Sequence, residues 1–78
     1  MTFETVEVEA TFTPDGWPVP SALTWAGVRL RVRDVGRRWE SDDGRHLLTR
    51  VVDGRVFELY TNGAMWWAKI VSQPPTSV

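Results

Sequence analysis

The chain has 78 residues, a formal net charge of −1, five tryptophans and no cysteine. This length predicts one domain, and the lack of cysteine excludes disulfide bonds and thiolate zinc sites. No apolar run approaches the ~20 residues of a membrane helix, and the N-terminus lacks the basic start and apolar stretch of a signal peptide. We therefore expect a cytoplasmic protein with no membrane partner.

The first predicted strand covers residues 5–13, where apolar and polar side chains alternate with the period of a half-buried strand. The side chains predicted to point into the core are Val6, Val8, Ala10 and Phe12. Pro14-Asp15-Gly16 ends the strand, because proline presets φ and glycine accepts φ > 0. Residues 17–20 contain two prolines and are expected to form an extended connector.

The next two predicted strands, 22–25 and 28–32, are joined by a tight turn at Ala26-Gly27. The inward side chains of the second strand are expected to be Val28, Leu30 and Val32. Its outer face then carries an arginine stripe, which consists of Arg29, Arg31 and Arg33. The alternation loses phase at Val35, which predicts a bulge or bend, and residues 36–44 are predicted to form a loop that contains Trp39.

The last third of the chain predicts a three-stranded meander with strands at 45–52, 55–61 and 64–71. Asp53-Gly54 and Asn62-Gly63 separate the strands. Both dipeptides favour two-residue hairpin turns, because both central positions of such a turn need φ > 0. One face of the meander would then carry Leu48, Phe57, Leu59, Trp66, Ala68 and Ile70. The other would carry Leu47, Thr49, Val51, Val56, Glu58, Tyr60, Met65, Trp67 and Lys69.

The second face is too apolar for plain solvent exposure. Either the sheet curls and buries part of it, or it is a contact surface. The fold class is therefore predicted to be all-β, a small five- or six-stranded antiparallel β-barrel or roll that ends in the meander. The β domain is expected to span residues 1–71, and residues 72–78 are expected to form a flexible tail.

The sequence predicts no enzyme. His46 is the single histidine and is interpreted as a strand residue near a turn. Asp42-Asp43 lacks the further ligands of a calcium loop, and Ser21 and Ser41 lie in no nucleophile motif. There is no glycine-rich phosphate loop. We therefore expect no catalytic residue, no bound metal and no cofactor.

The basic residues form a candidate nucleic-acid surface. The candidate contacts are Arg29, Arg31, Arg33, Arg37 and Arg38. Alternate residues of a strand lie ~6.6–7 Å apart, which suits consecutive phosphates of an extended single strand. Trp39 or Trp67 would stack on a base. In the competing interpretation, the stripe is neutralised by cross-strand ion pairs with Glu7 and Glu9, which have the same spacing.

Part of this pattern resembles a known family. The matching residues are Pro18, Leu23-x-Trp25-x-Gly27, Leu30-x-Val32, Val35, Trp39, Phe57-Glu58-Leu59-Tyr60 and Trp66-Trp67. They look like the W-x-G…V…W…E-L-Y pattern of a family of short bacterial proteins, and the similarity covers roughly residues 15–71. Related domains occur appended to proteins that resemble Y-family DNA polymerases. The resemblance implies an accessory role near DNA maintenance.

These observations favour a non-catalytic binding module. The leading hypothesis is a protein-interaction or adaptor domain that uses the apolar meander face or an open edge strand. Its candidate interaction residues are Trp17, Tyr60, Met65 and Trp67. The first alternative is a nucleic-acid-binding accessory domain that uses the arginine stripe. The second alternative is a structural homodimer formed through the same apolar face.

Overall fold

Alternating apolar and polar side chains produce six antiparallel strands, and these strands close into a barrel. The computed structural model describes residues 3–73. The strands are β1 (Glu4–Phe12), β2 (Pro18–Trp25), β3 (Val28–Ser41), β4 (Gly44–Val51), β5 (Val56–Thr61) and β6 (Trp66–Ser72). Each strand pairs with the next, and β6 pairs with β1 to close the barrel. The predicted all-β antiparallel barrel that ends in a three-stranded meander is confirmed.

The core lies inside the barrel and draws side chains from five of the six strands. The buried cluster consists of Leu23, Leu30, Leu47, Val51, Phe57, Leu59 and Ala68. Val6 and Val8 of β1 pack against it, and Trp25 meets Phe57 edge-to-face with ring centroids 5.1 Å apart. Each large apolar side chain buried in this way contributes about 1.5–3 kcal/mol to stability.

Two residues predicted to point inward are instead exposed. Phe12 is 54% exposed and Val28 is 57% exposed. Each is the strand residue next to a turn, Phe12 at the end of β1 and Val28 at the start of β3. The alternation assigns both to the inner face, but the ends of these two hairpins project past the packed interior. The Ala26-Gly27 turn itself is confirmed, since both residues have positive φ, 51° and 79°.

The predicted two-residue turn at Asp53-Gly54 is wrong. Gly54 has φ +95°, while Asp53 is not among the residues with positive φ. The Gly54 N–H donates to the Val51 carbonyl at 2.9 Å, and the Val51 N–H donates to the Arg55 carbonyl at 3.0 Å. Residues 52–54 therefore form a three-residue loop whose last residue is a glycine in the left-handed region.

This extra loop residue shifts the β4–β5 register by one. Leu47 is opposite Leu59, so Leu47 points into the core and Leu48 points outward. A one-residue shift turns every side chain of a strand to the other face. The predicted faces of β4 are therefore exchanged, and Thr49 and Val51 are buried with Leu47.

The second turn is also longer than predicted. Thr61 is opposite Trp66, so residues 62–65 form a four-residue loop. The Asn62 side chain accepts hydrogen bonds from the N–H groups of Ala64 and Met65, both at 2.9 Å. These bonds satisfy the loop backbone without a two-residue turn. The β5–β6 register differs from the predicted one by two residues. Because side chains alternate with a period of two, the β6 side chains stay on their predicted faces.

Residues 36–44, predicted to be a loop, are mostly strand. β3 continues to Ser41 and pairs with β4, and Asp42 and Asp43 form the turn between them. The pairing of β3 with β4 is irregular between Val32 and Asp34 and again between Val35 and Arg38, so the predicted bulge is confirmed. Trp39 therefore lies in a strand, directly opposite His46 of β4.

The two ends of the domain also differ from prediction. The expected connector at residues 17–20 contributes Pro18 and Pro20 to β2, where both are buried. Pro18 begins the strand, and the β1–β2 register shifts beside Pro20, as expected for residues without an N–H. β6 continues to Ser72, one residue beyond the predicted domain end. Residues 74–78 of the predicted flexible tail lie outside the described residues.

Candidate binding surface on the outside of the barrel

Four ring side chains form a continuous stack on the outer face of β3–β6. We call these residues the aromatic row: Trp39, His46, Tyr60 and Trp67. Each member is directly opposite the next in the strand register. Successive ring centroids are 5.2, 5.0 and 4.7 Å apart, and successive planes are tilted by 14°, 14° and 15°. These distances are close to the ~4.7–4.9 Å between neighbouring strands, so each ring stands on its own strand and faces the next.

Further side chains extend the aromatic row. Phe3 meets Tyr60 edge-to-face with centroids 4.8 Å apart, and the Lys69 ammonium lies 4.8 Å from the Phe3 ring centre. At the other end, the Arg37 guanidinium lies 5.1 Å from the Trp39 ring centre. Cations in these positions are attracted to the negative faces of the rings. These contacts pack side chains against both ends of the row.

Hydrogen bonds fix the imidazole of the aromatic row. His46 is 8% exposed. Its Nδ1 lies 3.0 Å from Glu58 Oε2, and its Nε2 lies 2.7 Å from Ser41 Oγ. Lys69 Nζ lies 3.8 Å from the other carboxylate oxygen of Glu58. Both ring nitrogens of a buried histidine are thus satisfied, which meets the general requirement for buried polar atoms.

One arginine of the stripe is neutralised as the competing interpretation proposed. Arg29 donates from Nε and Nη2 to the two carboxylate oxygens of Glu9, at 2.6 and 2.9 Å. This hydrogen-bonded pair lowers the pKa of Glu9 and raises the pKa of Arg29. Within residues 3–73, Arg31 and Arg33 are exposed and have no carboxylate oxygen within 4 Å. Two arginines of the stripe therefore keep an unpaired charge.

The remaining two candidate arginines lie on different sides of the β3–β4 hairpin. Arg37 contacts Trp39 of the aromatic row. Arg38 is opposite the core residue Leu47, and its guanidinium lies 4.9 Å from the Trp17 ring centre. The structure therefore does not bring the five predicted contacts into one line.

The four predicted interaction residues are also divided. Tyr60 and Trp67 stack on each other in the aromatic row. Met65, in the loop two residues before Trp67, is 47% exposed. Trp17 is half-buried, and the Arg45 guanidinium lies 4.8 Å from its ring centre. Trp17 is thus covered by arginines and lies apart from the other three.

An open cleft lies where three hairpin turns meet. Its volume is about 450 Å³, and it is lined by residues 40–45, by residues 61–63, and by Phe12 and Gly16. Beside it, Thr13 donates a hydrogen bond to the Asp15 carboxylate, which lowers the pKa of Asp15. Within the described part of the chain, no group of three or more acidic, histidine or cysteine side chains is arranged to hold a metal ion.

The fold and the surface define a small closed β-barrel that carries a stacked aromatic row beside a partly unpaired arginine stripe. Comparisons of the chain with protein-family models, with curated proteins and with solved structures find no match. The resemblance to the family of short bacterial proteins therefore stays a prediction. The chain forms no helix between residues 3 and 73 that is long and apolar enough to cross a membrane.

Sequence reasoning singled out three members of the aromatic row but not the row itself: Tyr60 and Trp67 as interaction residues, and Trp39 or Trp67 as a residue that stacks on a base. With the predicted register, Tyr60 would lie opposite Leu47 rather than His46. A three-residue loop that ends in Gly54 places His46 and Tyr60 side by side, but Asp-Gly is compatible with both loop lengths, so the turn residues carried no signal for the row. The hydrogen bonds from His46 to Ser41 and Glu58 depend on the same register.

Proposed function

We propose that this protein is a binding module whose aromatic row receives a segment of a partner protein. The observation that carries the proposal is the stack of two tryptophans, a tyrosine and a histidine across four strands. Tryptophan, tyrosine and arginine are the side chains that most often dominate binding energy at protein interfaces. The row combines the first two types, and Arg37 at its end supplies the third.

Rigidity supports the same proposal. Tyr60 is stacked on both sides, by His46 and Trp67, and Phe3 contacts its edge. Side chains that are already ordered lose little conformational entropy when a partner binds, whereas free side chains lose about 0.5–1.5 kcal/mol each. The same stacking also joins the strands, with about 0.5–1.5 kcal/mol for each aromatic pair.

The closed barrel restricts how the partner binds. The hypothesis from the sequence included addition of a strand to an open edge, but every strand has a neighbour on both sides. Closure shortens the edges that strand addition requires, although β1 pairs with β6 only over Glu4–Val6. We therefore place the partner on the side chains of the aromatic row. Arg37 at one end of the aromatic row and the unpaired Arg33 on the same strand favour a partner segment that combines apolar or aromatic residues with a carboxylate.

A peptide selection tests this proposal. A phage-displayed library of random 12-residue peptides is selected on the immobilised protein, and the enriched peptides are measured by fluorescence anisotropy. We expect Trp67→Ala to weaken binding by about 30-fold, since loss of a central tryptophan at an interface costs 2 kcal/mol or more. Arg37→Ala, at an exposed position, should weaken binding of acidic peptides without unfolding the barrel.

The matched control is Val28→Ala, which truncates an apolar side chain that is 57% exposed on another part of the surface. It should bind the selected peptides as the unchanged protein does. Equal binding by Trp67→Ala and Arg37→Ala, with both variants folded by circular dichroism, would contradict the proposal. If the protein dimerises in a concentration-dependent way and Trp67→Ala abolishes the dimer, the aromatic row binds a second copy of the chain rather than a partner peptide.

The unpaired arginines favour a second candidate function, the binding of single-stranded nucleic acid along β3. Arg31 and Arg33 are exposed, and the structure pairs neither with a carboxylate of the described residues. With Arg37 they offer three cations on one strand. Each phosphate contact gives a log–log salt slope of roughly −0.7 for single strands. The net charge of −1 opposes this function, because nucleic-acid-binding domains are usually basic.

Anisotropy of a fluorescent oligothymidine at low and at physiological salt tests this candidate. The triple variant Arg31→Ala, Arg33→Ala, Arg37→Ala should lose binding and its salt dependence. Arg29→Ala is the matched control, since this arginine lies on the same strand but is neutralised by Glu9. Binding that is absent at low salt, or unchanged in the triple variant, would eliminate this function.

A further inference from the structure

Three side chains on β3, β4 and β5 form a hydrogen-bonded chain that ends in a serine. Ser41 Oγ lies 2.7 Å from His46 Nε2, and His46 Nδ1 lies 3.0 Å from Glu58 Oε2. Because a carboxylate only accepts hydrogen bonds, Nδ1 carries the imidazole proton and Nε2 accepts the Ser41 O–H. A hydroxyl, an imidazole and a carboxylate in this order activate serine nucleophiles on several unrelated folds.

The surroundings of the three groups suit this chemistry. His46 lies between the rings of Trp39 and Tyr60, each tilted 14° from it, so the imidazole cannot rotate away from Ser41. Ser41 is exposed, and its Oγ also accepts a hydrogen bond from the Asp43 N–H at 3.2 Å. The nucleophile is therefore fixed and open to solvent, while the base is shielded.

Ser41 also lines the cleft of about 450 Å³ between the hairpin turns. Three carboxylates, those of Glu40, Asp42 and Asp43, lie in its lining together with one cation, Arg45. This balance of charge disfavours anionic substrates. We propose that Ser41 is a nucleophile, activated by His46 and Glu58, that cleaves carboxylic esters that are neutral or cationic.

The reaction is an acyl transfer in two halves. Ser41 Oγ forms a bond to the ester carbonyl carbon while its proton passes to His46 Nε2. The bond between that carbon and the leaving alcohol then breaks, and the alcohol takes the proton from Nε2. His46 Nε2 then takes a proton from water as the water oxygen bonds to the acyl carbon. The bond from that carbon to Ser41 Oγ breaks and Oγ takes the proton from Nε2, which releases the carboxylic acid and restores the Ser41 hydroxyl. Glu58 is a positioning residue that keeps Nε2 directed at Ser41.

The test uses the full chain and a fluorophosphonate probe. Attack by an activated serine on such a probe forms a P–O bond and expels fluoride. Intact mass spectrometry should show one adduct per chain, and fragmentation should place it on Ser41. General-base assistance is worth about 10²–10⁴ in rate, so Ser41 should react at least ~10²-fold faster than an ordinary exposed serine. The same protein should hydrolyse p-nitrophenyl acetate.

Two variants serve as controls. Ser41→Ala removes the hydrogen bond between the Ser41 hydroxyl and His46 Nε2, so it should lower the thermal midpoint somewhat; circular dichroism checks that it stays folded, and it should lose both the adduct and ester hydrolysis. Ser21 is an exposed serine whose Oγ donates to the Glu9 carbonyl at 3.2 Å. The single histidine of the chain, His46, is hydrogen-bonded to Ser41 and so does not activate Ser21. Ser21→Ala should therefore react normally.

In Glu58→Gln, the side-chain oxygen can still accept the His46 Nδ1–H but carries no charge. This variant should therefore react more slowly with the probe, and the adduct should still form on Ser41. Absence of an adduct on the unchanged protein would overturn the proposal. So would equal labelling of the unchanged protein and Ser41→Ala.

Discussion

Truncation of two adjacent leucines tests the strand register of the barrel. Leu47 is 0% exposed and lies opposite Leu59 in the core, whereas Leu48 points to the outer face and is half-buried. Leu→Ala at a fully buried site costs about 2–5 kcal/mol, and substitutions outside the core usually cost below about 1 kcal/mol. We expect Leu47→Ala to destabilise the protein far more than Leu48→Ala, although the chemical change is the same.

The expected difference is large compared with the total stability. A chain of this length has a free energy of unfolding of about 4–12 kcal/mol. Each kcal/mol lowers Tm by roughly 4–8 °C in a domain of this size, so Leu47→Ala should lower Tm by at least about 8 °C. Thermal unfolding followed by circular dichroism measures both variants. If Leu48→Ala lowered Tm more than Leu47→Ala, the strand register would be the one expected from a two-residue turn, and the aromatic row would not form.

Three further predictions concern the fold. Gly44→Ala should prevent stable folding, because an added Cβ would overlap the Thr61 carbonyl oxygen; soluble expression and circular dichroism measure this, and a variant with unchanged Tm would contradict the turn geometry. Thr49→Val should raise Tm, since the buried Thr49 hydroxyl has no hydrogen-bond partner among the described residues; a lower Tm would show that it has one. The pKa of Glu9 is lowered by Arg29, so the stability from this pair is present above the ordinary pKa of 4.5 and is lost as the pH falls below it; Glu9→Gln should lose less stability between pH 7 and pH 3, in urea titrations, than the unchanged protein.

The strands were predictable from the sequence because alternation reports burial directly. Val6 and Val8 pack on the core as predicted. Phe57 and Leu59 share a face as predicted, and the structure shows that this face is buried. The spacing of the turns also predicted a barrel or roll of five or six strands, and the structure is a closed barrel of six. The glycines of these turns were recognised correctly, since Gly54 has the positive φ that its position needs.

The length of each turn was not predictable in the same way. Asp-Gly fits a two-residue turn, but it also fits a three-residue loop in which only the glycine has positive φ. Packing of the core selects the three-residue loop, because this loop buries Leu47, Thr49 and Val51 in place of Leu48. Local turn chemistry carries no information about that choice.

The candidate sites depend on the length of the loop between β4 and β5, because that length sets the register of the two strands. His46 lies opposite Tyr60 only in the observed register, and its hydrogen bonds to Ser41 and Glu58 join residues 5 and 12 positions away along the chain. Ion pairing was predictable in part. Equal spacing led to the interpretation that Glu7 and Glu9 both pair with the arginine stripe, and the structure shows this pair for Glu9 with Arg29.

The most direct test of the aromatic row as a binding surface is a two-dimensional ¹H–¹⁵N NMR spectrum of the protein titrated with a selected acidic peptide. We expect the largest shifts at the indole N–H signals of Trp39 and Trp67 and at the backbone amides of Tyr60 and Arg37. The indole of Trp17 should stay unchanged, because it lies apart under Arg38 and Arg45. Shifts confined to Trp17 and its neighbours, with the row unaffected, would contradict the proposed function.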